Sequence, residues 1–319
     1  MLNKKVDSMM MCLLRCCVPI LALTWLTAAA AASDWYPFNW AIKAQPGFVT
    51  DRVAIVLPVT LDGNACSMQL DTAVGTSRLY RSGLPVRYAA NAGQLVIGQF
   101  GVGAMLGRRT FNLIYPDDAA HRETGCRLTD VGPLVGTIGN DLFANGNLTL
   151  DLRHARFRFI EGAAALVATD ANSVPFTMTT SEEGHGQVPL IEVTLADRRR
   201  VSLIVDTGSA PAQLIVFHEP DWLALVGPAG ARDAVAVTTM SWNHPMLCRT
   251  APIRAAFHIG PIGLGTGTGA SFCTIDKQPA FGGSSLFGTI GMVPFQDQAI
   301  TFDYVGQRFL ITAPDVHLF

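Results

Sequence analysis

The amino-acid sequence predicts an all-β fold in which two homologous lobes surround a central cleft. A repeated loop is the first sign: Leu70-Asp71-Thr72-Ala73 and Val205-Asp206-Thr207-Gly208-Ser209 each set an Asp-Thr pair at the end of an apolar, β-branched run. A repeated glycine phrase is the second, with Gly136-Thr137-Ile138-Gly139 returning as Gly288-Thr289-Ile290-Gly291. At the same spacing Thr149 falls on Thr301, Asp151 on Asp303, Arg156 on Arg308 and Phe157 on Phe309. The third is punctuation. Short apolar runs are broken by turn formers, and 30 glycines with 18 prolines supply many tight turns.

The elements follow in order. Residues 1–32 read as a secretory signal peptide, with Lys4 and Lys5 before an apolar run and small residues at Ala30-Ala31-Ala32 for cleavage. Residues 33–165 form the predicted N-terminal lobe. Its leading piece carries Trp35, Tyr36, Phe38 and Trp40, too aromatic for a free tail, and is expected to pack on a lobe or join a sheet. Strands are predicted at Val53–Leu57, Met68–Leu70, Leu95–Ile97, Leu148–Leu150 and Arg156–Ile160. Residues 166–187, rich in small and polar side chains, read as the interlobe linker. The C-terminal lobe, 188–319, repeats the pattern with strands at Leu190–Leu195, Val201–Val205, Gln213–Val216 and Ile300–Asp303. Helix is expected only near Glu219–Val226 and Gly162–Thr169.

Composition narrows the function. Charged residues make up 15% of the chain and the formal net charge is −2, with four lysines and no basic run longer than Arg198-Arg199-Arg200. That argues against a nucleic-acid surface. No stretch after the signal is long and apolar enough for a membrane span, so the mature chain is expected in the periplasm or outside the cell, as a monomer. Four cysteines follow the signal: Cys66, Cys126, Cys248 and Cys273. Three pairings are open; if each lobe folds as a unit, Cys66–Cys126 and Cys248–Cys273 are preferred. No cysteine or histidine spacing suggests a metal, and no cofactor is expected. Gly263–Gly269 lacks the lysine and helix of a phosphate loop and reads as a hairpin. Asn147-Leu148-Thr149 runs into a strand, which argues against glycosylation.

Two acids delivered by two copies of one unit suggest chemistry. A carboxylate acting as acid or base must be partly dry, held by neighbours and open to substrate on one side. If the two loops meet about a pseudo-twofold axis, Asp71 and Asp206 cannot both ionise readily and share one proton. One then activates water while the other protonates a carbonyl.

These loops resemble those of the pepsin-like aspartic peptidases, and compact retropepsin-like relatives share them. The resemblance covers most of the mature chain: the two Asp-Thr loops, the two loops ending in Ile-Gly, and Phe100-Gly101-Val102-Gly103-Ala104-Met105-Leu106-Gly107, which is similar to that family's flap. It implies that Asp71 and Asp206 form the catalytic pair and that Thr72 and Thr207 cross-link the loops with support from Gly208 and Ser209. It also implies that Phe100, Gly101 and Gly103 belong to a hairpin covering the cleft. The first loop departs from the family, with Ala73 for glycine and Val74 for a hydroxyl-bearing residue. The expected activity is an aspartic endopeptidase acting on an extended peptide or unfolded protein. The alternative is a catalytically inactive peptide- or protein-binding relative on the same scaffold.

Overall fold

A computed structural model of the chain describes residues 34–41, 43–45, 48–50, 52, 54–81, 84, 93–114, 134–166, 172–180, 186–209, 213–241, 244–254, 257–259, 262–264, 268–274 and 286–312. The expected signal peptide and Cys126 lie outside the described residues. The leading segment gives β1 (Tyr36–Pro37), β2 (Asn39–Trp40) and a small hairpin of β3 (Lys43–Gln45) and β4 (Phe48–Thr50). The first lobe is β5 (Ile55–Leu61), β6 (Asn64–Leu70), β7 (Arg78–Tyr80), β8 (Gln94–Val102), β9 (Met105–Ile114) and β10 (Leu134–Ile138). Next come β11 (Gly146–Asp151), β12 (Arg156–Glu161) and β13 (Ser173–Thr180).

The second lobe opens with β14 (Gln187–Thr194), β15 (Arg200–Val205), β16 (Leu214–Val216) and α1 (Glu219–Arg232). It continues with β17 (Val235–Ser241), β18 (His244–Pro252), β19 (Phe257–Ile259), β20 (Ile262–Leu264), β21 (Gly269–Thr274) and β22 (Gly288–Ile290). The chain closes with β23 (Ala299–Asp303) and β24 (Arg308–Thr312). Among the described residues the protein is all-β with one α-helix, laid out as two lobes.

Each copy uses the same pairings. In the first lobe the order is β5-β6-β10-β7-β9-β8, and β8 returns to pair with β5, closing a small barrel. In the second the order β14-β15-β22-β16-β21-β18 matches it strand for strand. Even the unusual parallel pairs repeat: β6 with β10 and β7 with β9, then β15 with β22 and β16 with β21. Alternation drives this. In β8 and β9 the inward set Leu95, Ile97, Phe100, Val102, Phe111 and Leu113 is buried, while Val96 and Leu106 face out. The Asp62-Gly63 corner joining β5 to β6 takes positive φ at both residues, the turn that best fits strand twist.

A six-stranded base sheet, β1-β12-β11-β23-β24-β13, runs under both lobes. Its centre marks the pseudo-dyad. Thr149 and Thr301, 152 residues apart, face each other across the β11–β23 pair with their hydroxyls 3.0 Å apart. Phe157, Phe302 and Phe309 fill its buried face, and the leading segment caps one edge, where Arg156 and Arg158 stack on Trp35. Asp151 closes its strand end against Arg156 at 2.8 Å; Asp303 accepts from the Gly306 and Leu166 amides, and Arg308 donates to Ser173.

Two expectations change. The linker 166–187 contains β13, which pairs with both β24 and β14 and so is part of the sheet. Its Ser/Thr-rich composition looked like a loop because alternate side chains face outward. The helix expected at 162–169 does not form over residues 162–166. The helix near Glu219 does, starting with Pro220 in its first turn and bending at Gly227-Pro228. Trp222 pins it, fully buried with its indole N–H donating to the Ala270 carbonyl at 2.9 Å. Cys248 and Cys273 are bonded across the β18–β21 pair, and Cys66, buried on β6, is also disulfide-bonded. Asn147 is 1% exposed, on a strand within the base sheet.

Candidate active site

Both Asp-Thr loops grow from the same local event. A strand of the first pair, β6 or β15, runs parallel to the strand ending in Thr-Ile-Gly, and the Asp amide closes the join. Asp71 donates to the Ile138 carbonyl at 3.0 Å, and Asp206 to that of Ile290 at 2.9 Å. Gly136 and Gly288 are required beneath this join, because a Cβ there would run into the Arg78 and Ile215 carbonyls.

The loops then grip one another. The Thr72 amide donates to Thr207 Oγ1 at 3.0 Å and the Thr207 amide to Thr72 Oγ1 at 3.1 Å. Each hydroxyl donates onward to the opposite strand, Thr72 Oγ1 to the Val205 carbonyl at 2.5 Å and Thr207 Oγ1 to that of Leu70 at 3.1 Å. Four bonds related by the dyad satisfy the amide and the hydroxyl of two threonines that are 1% and 0% exposed. This fixes the spacing of the two aspartates without either carboxylate taking part.

The carboxyls sit just above the grip. Asp71 Oδ1 accepts from the Ala73 amide at 2.9 Å, and Asp206 Oδ1 from the Ser209 amide at 3.0 Å. The two loops are in contact here: a Cβ on Gly208 would lie 2.6 Å from both Cγ and Oδ2 of Asp71. Burial pushes the Asp71 carboxyl up to about 6, against the pull of the Ala73 amide and the Arg78 charge. Burial and then the neighbouring Asp71 charge hold Asp206 well above the usual carboxylate range. Two acids lifted by desolvation, one of them further by its partner, form a pair that retains a proton where isolated aspartates would be ionised.

The first loop departs from the second in a way the packing accommodates. The methyl of Ala73 rests against an apolar cluster of Val188, Leu190, Ile204, Phe217 and Leu286, whereas the corresponding direction at Gly208 is filled by the Asp71 carboxyl. Val74 is 3% exposed, and its carbonyl accepts from the Asn140 amide group and backbone N–H, each at 3.0 Å. Gly186, at the start of the second lobe, leaves space for Gly75 and Thr76 of the same loop.

The hairpin expected to cover the cleft does not. Phe100 is 1% exposed and packs edge-on against Phe111, with ring centroids 5.0 Å apart. It pairs with Leu61, whose β6 partner is Asn64, at the other end of that strand from Leu70. Six residues of strand separate those ends, about 20 Å. Gly101 pairs with Thr60, and Gly103 turns the hairpin at φ +56°, where a Cβ would meet Tyr36 at 3.1 Å and Phe157 at 3.2 Å. These rings belong to the base sheet. The glycine string specifies a tight turn and close packing, and says nothing of which end of the barrel the turn occupies.

Four supporting residues were not foreseen. Ser77 donates from its amide and hydroxyl to Asp141 Oδ1 at 2.8 and 2.6 Å and accepts from the Gly139 amide, pinning the loop's exit to the glycine phrase. Asn140 bonds the Thr72 and Val74 carbonyls, and Tyr304 bonds Asn140. The available signal was a break in the repeat, since Asn140-Asp141 follow the first Thr-Ile-Gly where Met292-Val293 follow the second. Among the described residues no group of three or more His, Cys, Asp or Glu is arranged to hold a metal ion, and no helix is long and apolar enough to cross a membrane.

No protein-family model matches the chain, and no curated protein matches it. Among solved structures it is similar to the aspartic proteinase from Irpex lacteus, at 12% identity and a TM-score of 0.49, over 88% of this chain and 97% of that one.

Proposed function

We propose that this chain is an exported aspartic endopeptidase. The observation carrying the reading is the pair of desolvated carboxyls, Asp71 and Asp206, on dyad-related loops locked by reciprocal threonine bonds. Asp71, whose carboxyl also feels the Arg78 charge, is ionised above about pH 6 and takes a proton from a water held between the two acids. Asp206, still protonated, donates to the scissile carbonyl oxygen as the water oxygen bonds to carbon. Collapse of the tetrahedral adduct expels the amine, which leaves with a proton from the pair. An extended substrate fits such a site, lying across both loops and pairing its backbone with neighbouring strand edges.

The working range follows from the two acids. The productive form has one proton on the pair, so hydrolysis rises with pH through about 6 and falls only when Asp206 ionises. The reading therefore expects a peptidase active near neutral pH. Its test is cleavage of a reduced, unfolded protein between pH 3 and 8 by the mature chain and by Asp206→Asn. The wild type cleaves, and the variant loses at least about a thousandfold. A second reading, a peptide-binding protein without catalysis, draws on Ala73 and Val74 in the first loop. It would be supported by a wild type that binds a statine-containing peptide and cuts nothing across that range.

A further inference from the structure

We infer that Tyr304 and Asn140 form a positioning relay from the second lobe that makes Asp71 the base and leaves Asp206 the acid; this assignment of roles rests on the peptidase reading above. The relay can be followed atom by atom. Tyr304 Oη donates to Asn140 Oδ1 at 2.7 Å, and Asn140 Nδ2 donates to the Thr72 carbonyl at 2.8 Å and the Val74 carbonyl at 3.0 Å. Two carbonyl acceptors on one side and a phenol on the other fix which way the amide points. The Thr72 carbonyl and the Ala73 N–H belong to the same peptide group, and that N–H donates to Asp71 Oδ1 at 2.9 Å. Three hydrogen bonds and one peptide plane thus connect a phenol in the second lobe to the carboxyl in the first. Bonding the carbonyl end of a peptide polarises it and strengthens its N–H as a donor. It also holds the plane at the angle that aims the N–H at Asp71.

The second loop lacks this device. Met292 stands where Asn140 stands in the first copy, and Leu152 where Tyr304 stands in the second. Met292 is fully buried and offers no side-chain amide, and the peptide group whose Ser209 N–H reaches Asp206 is backed by a single long bond, from Gln69 Nε2 to the Gly208 carbonyl at 3.4 Å, against 2.8 Å for the Asn140 bond in the first loop. Asn140 and Tyr304 are 1% and 6% exposed, so the relay is shielded from competing water. The other charged or titratable groups facing these atoms are Asp206, Arg78 and Tyr80 around Asp71, and Asp141 near Tyr304. Of these, Arg78 also favours the ionised form of Asp71, and it is untouched by the variants below.

Tyr304→Phe removes one oxygen and keeps the ring that packs against Phe176 and Phe302. Asn140→Met gives the first loop the residue of the second. The measurement is the titration of the Asp71 carboxyl by carbon NMR in wild type and both variants, with the pH profile of peptide hydrolysis beside it. Weakening the Ala73 N–H bond to the charged form moves the Asp71 step upward by about half a pH unit in Tyr304→Phe and about one unit in Asn140→Met. The acidic limb of kcat/KM moves with it. If both variants titrate like wild type, whatever happens to their melting temperatures, the relay is only structural and the inference fails. If the titration shifts while the wild type cleaves nothing, the relay stands and the peptidase reading falls.

Discussion

The two Asp loops share a skeleton and differ in almost everything attached to it. Each hangs from a parallel strand pair, each donates an amide to an Ile carbonyl, and each gives a threonine to the common grip. Around that skeleton the first loop carries a methyl seated in the second lobe's apolar cluster and an amide brace from Asn140. The second keeps Gly208 bare because the Asp71 carboxyl occupies the space. Duplication supplied the geometry, and divergence gave its two acids separate environments. What is copied fixes where the carboxyls are; what has diverged sets which one holds the proton.

Breaking the asymmetry is most costly at Gly208. Gly208→Ala places a methyl within 2.6 Å of the Asp71 carboxyl carbon, so that carboxyl must turn or the loops must part. Hydrolysis should drop at least about a hundredfold, with secondary structure by circular dichroism unchanged. The reverse exchange, Ala73→Gly, should retain activity. If both changes are equally harmful, the loops are more alike than their packing indicates.

The shared grip comes next. Thr72→Val keeps the shape and strands the Thr207 amide and Val205 carbonyl in the interior, a loss of about 2–4 kcal/mol. Thr207→Val strands the Thr72 amide and Leu70 carbonyl by the same logic. Denaturant titration should find the two costs within about 1 kcal/mol of each other, since these bonds are dyad-related. Removing the Cys248–Cys273 bridge as a pair of alanines tests a feature outside the grip. It should lower stability by about 2–4 kcal/mol and leave the pH profile of hydrolysis in place.

The smallest effect sharpens the comparison most. Val74→Ser supplies a hydroxyl beside Asp71, and a hydrogen bond to the ionised carboxylate should draw the acidic limb of the rate profile down by about half a pH unit. Stability responds to the same acids with a definite sign. Both carboxyls are raised in the folded protein, so the fold binds protons the unfolded chain releases. Stability is therefore full below about pH 4 and is lost as pH climbs through about 6. Asp206→Asn should reduce that loss and melt higher than wild type at neutral pH.

Much of this was legible in the residues. The repeat matched Thr149 to Thr301, which face each other in the base sheet, and the resemblance of the paired Asp-Thr loops to those of pepsin-like peptidases implied the grip. The Cys248–Cys273 bridge followed from assigning two cysteines to each lobe. The failures have a common cause in long-range placement. Phe100-Gly101-Val102-Gly103 defines a turn correctly, but only the pairing of β8 with β5 decides that the turn meets Tyr36 and Phe157. β13 was hidden by its polar outer face. Asn140 and Tyr304 are 164 residues apart, and no local pattern connects a phenol in one copy to an amide in the other.

The claim on which the rest depends is that Asp71 and Asp206 hold one proton between them at neutral pH. Carbon-detected NMR titration of the aspartate carboxyls in the wild-type mature chain, assigned with Asp71→Asn and Asp206→Asn, measures it directly. The account predicts two separated steps, with Asp71 titrating near pH 6, Asp206 raised well above the usual carboxylate range, and the Asp206 step falling when Asp71 is neutralised. Two independent steps near pH 4, unchanged by either substitution, would contradict it.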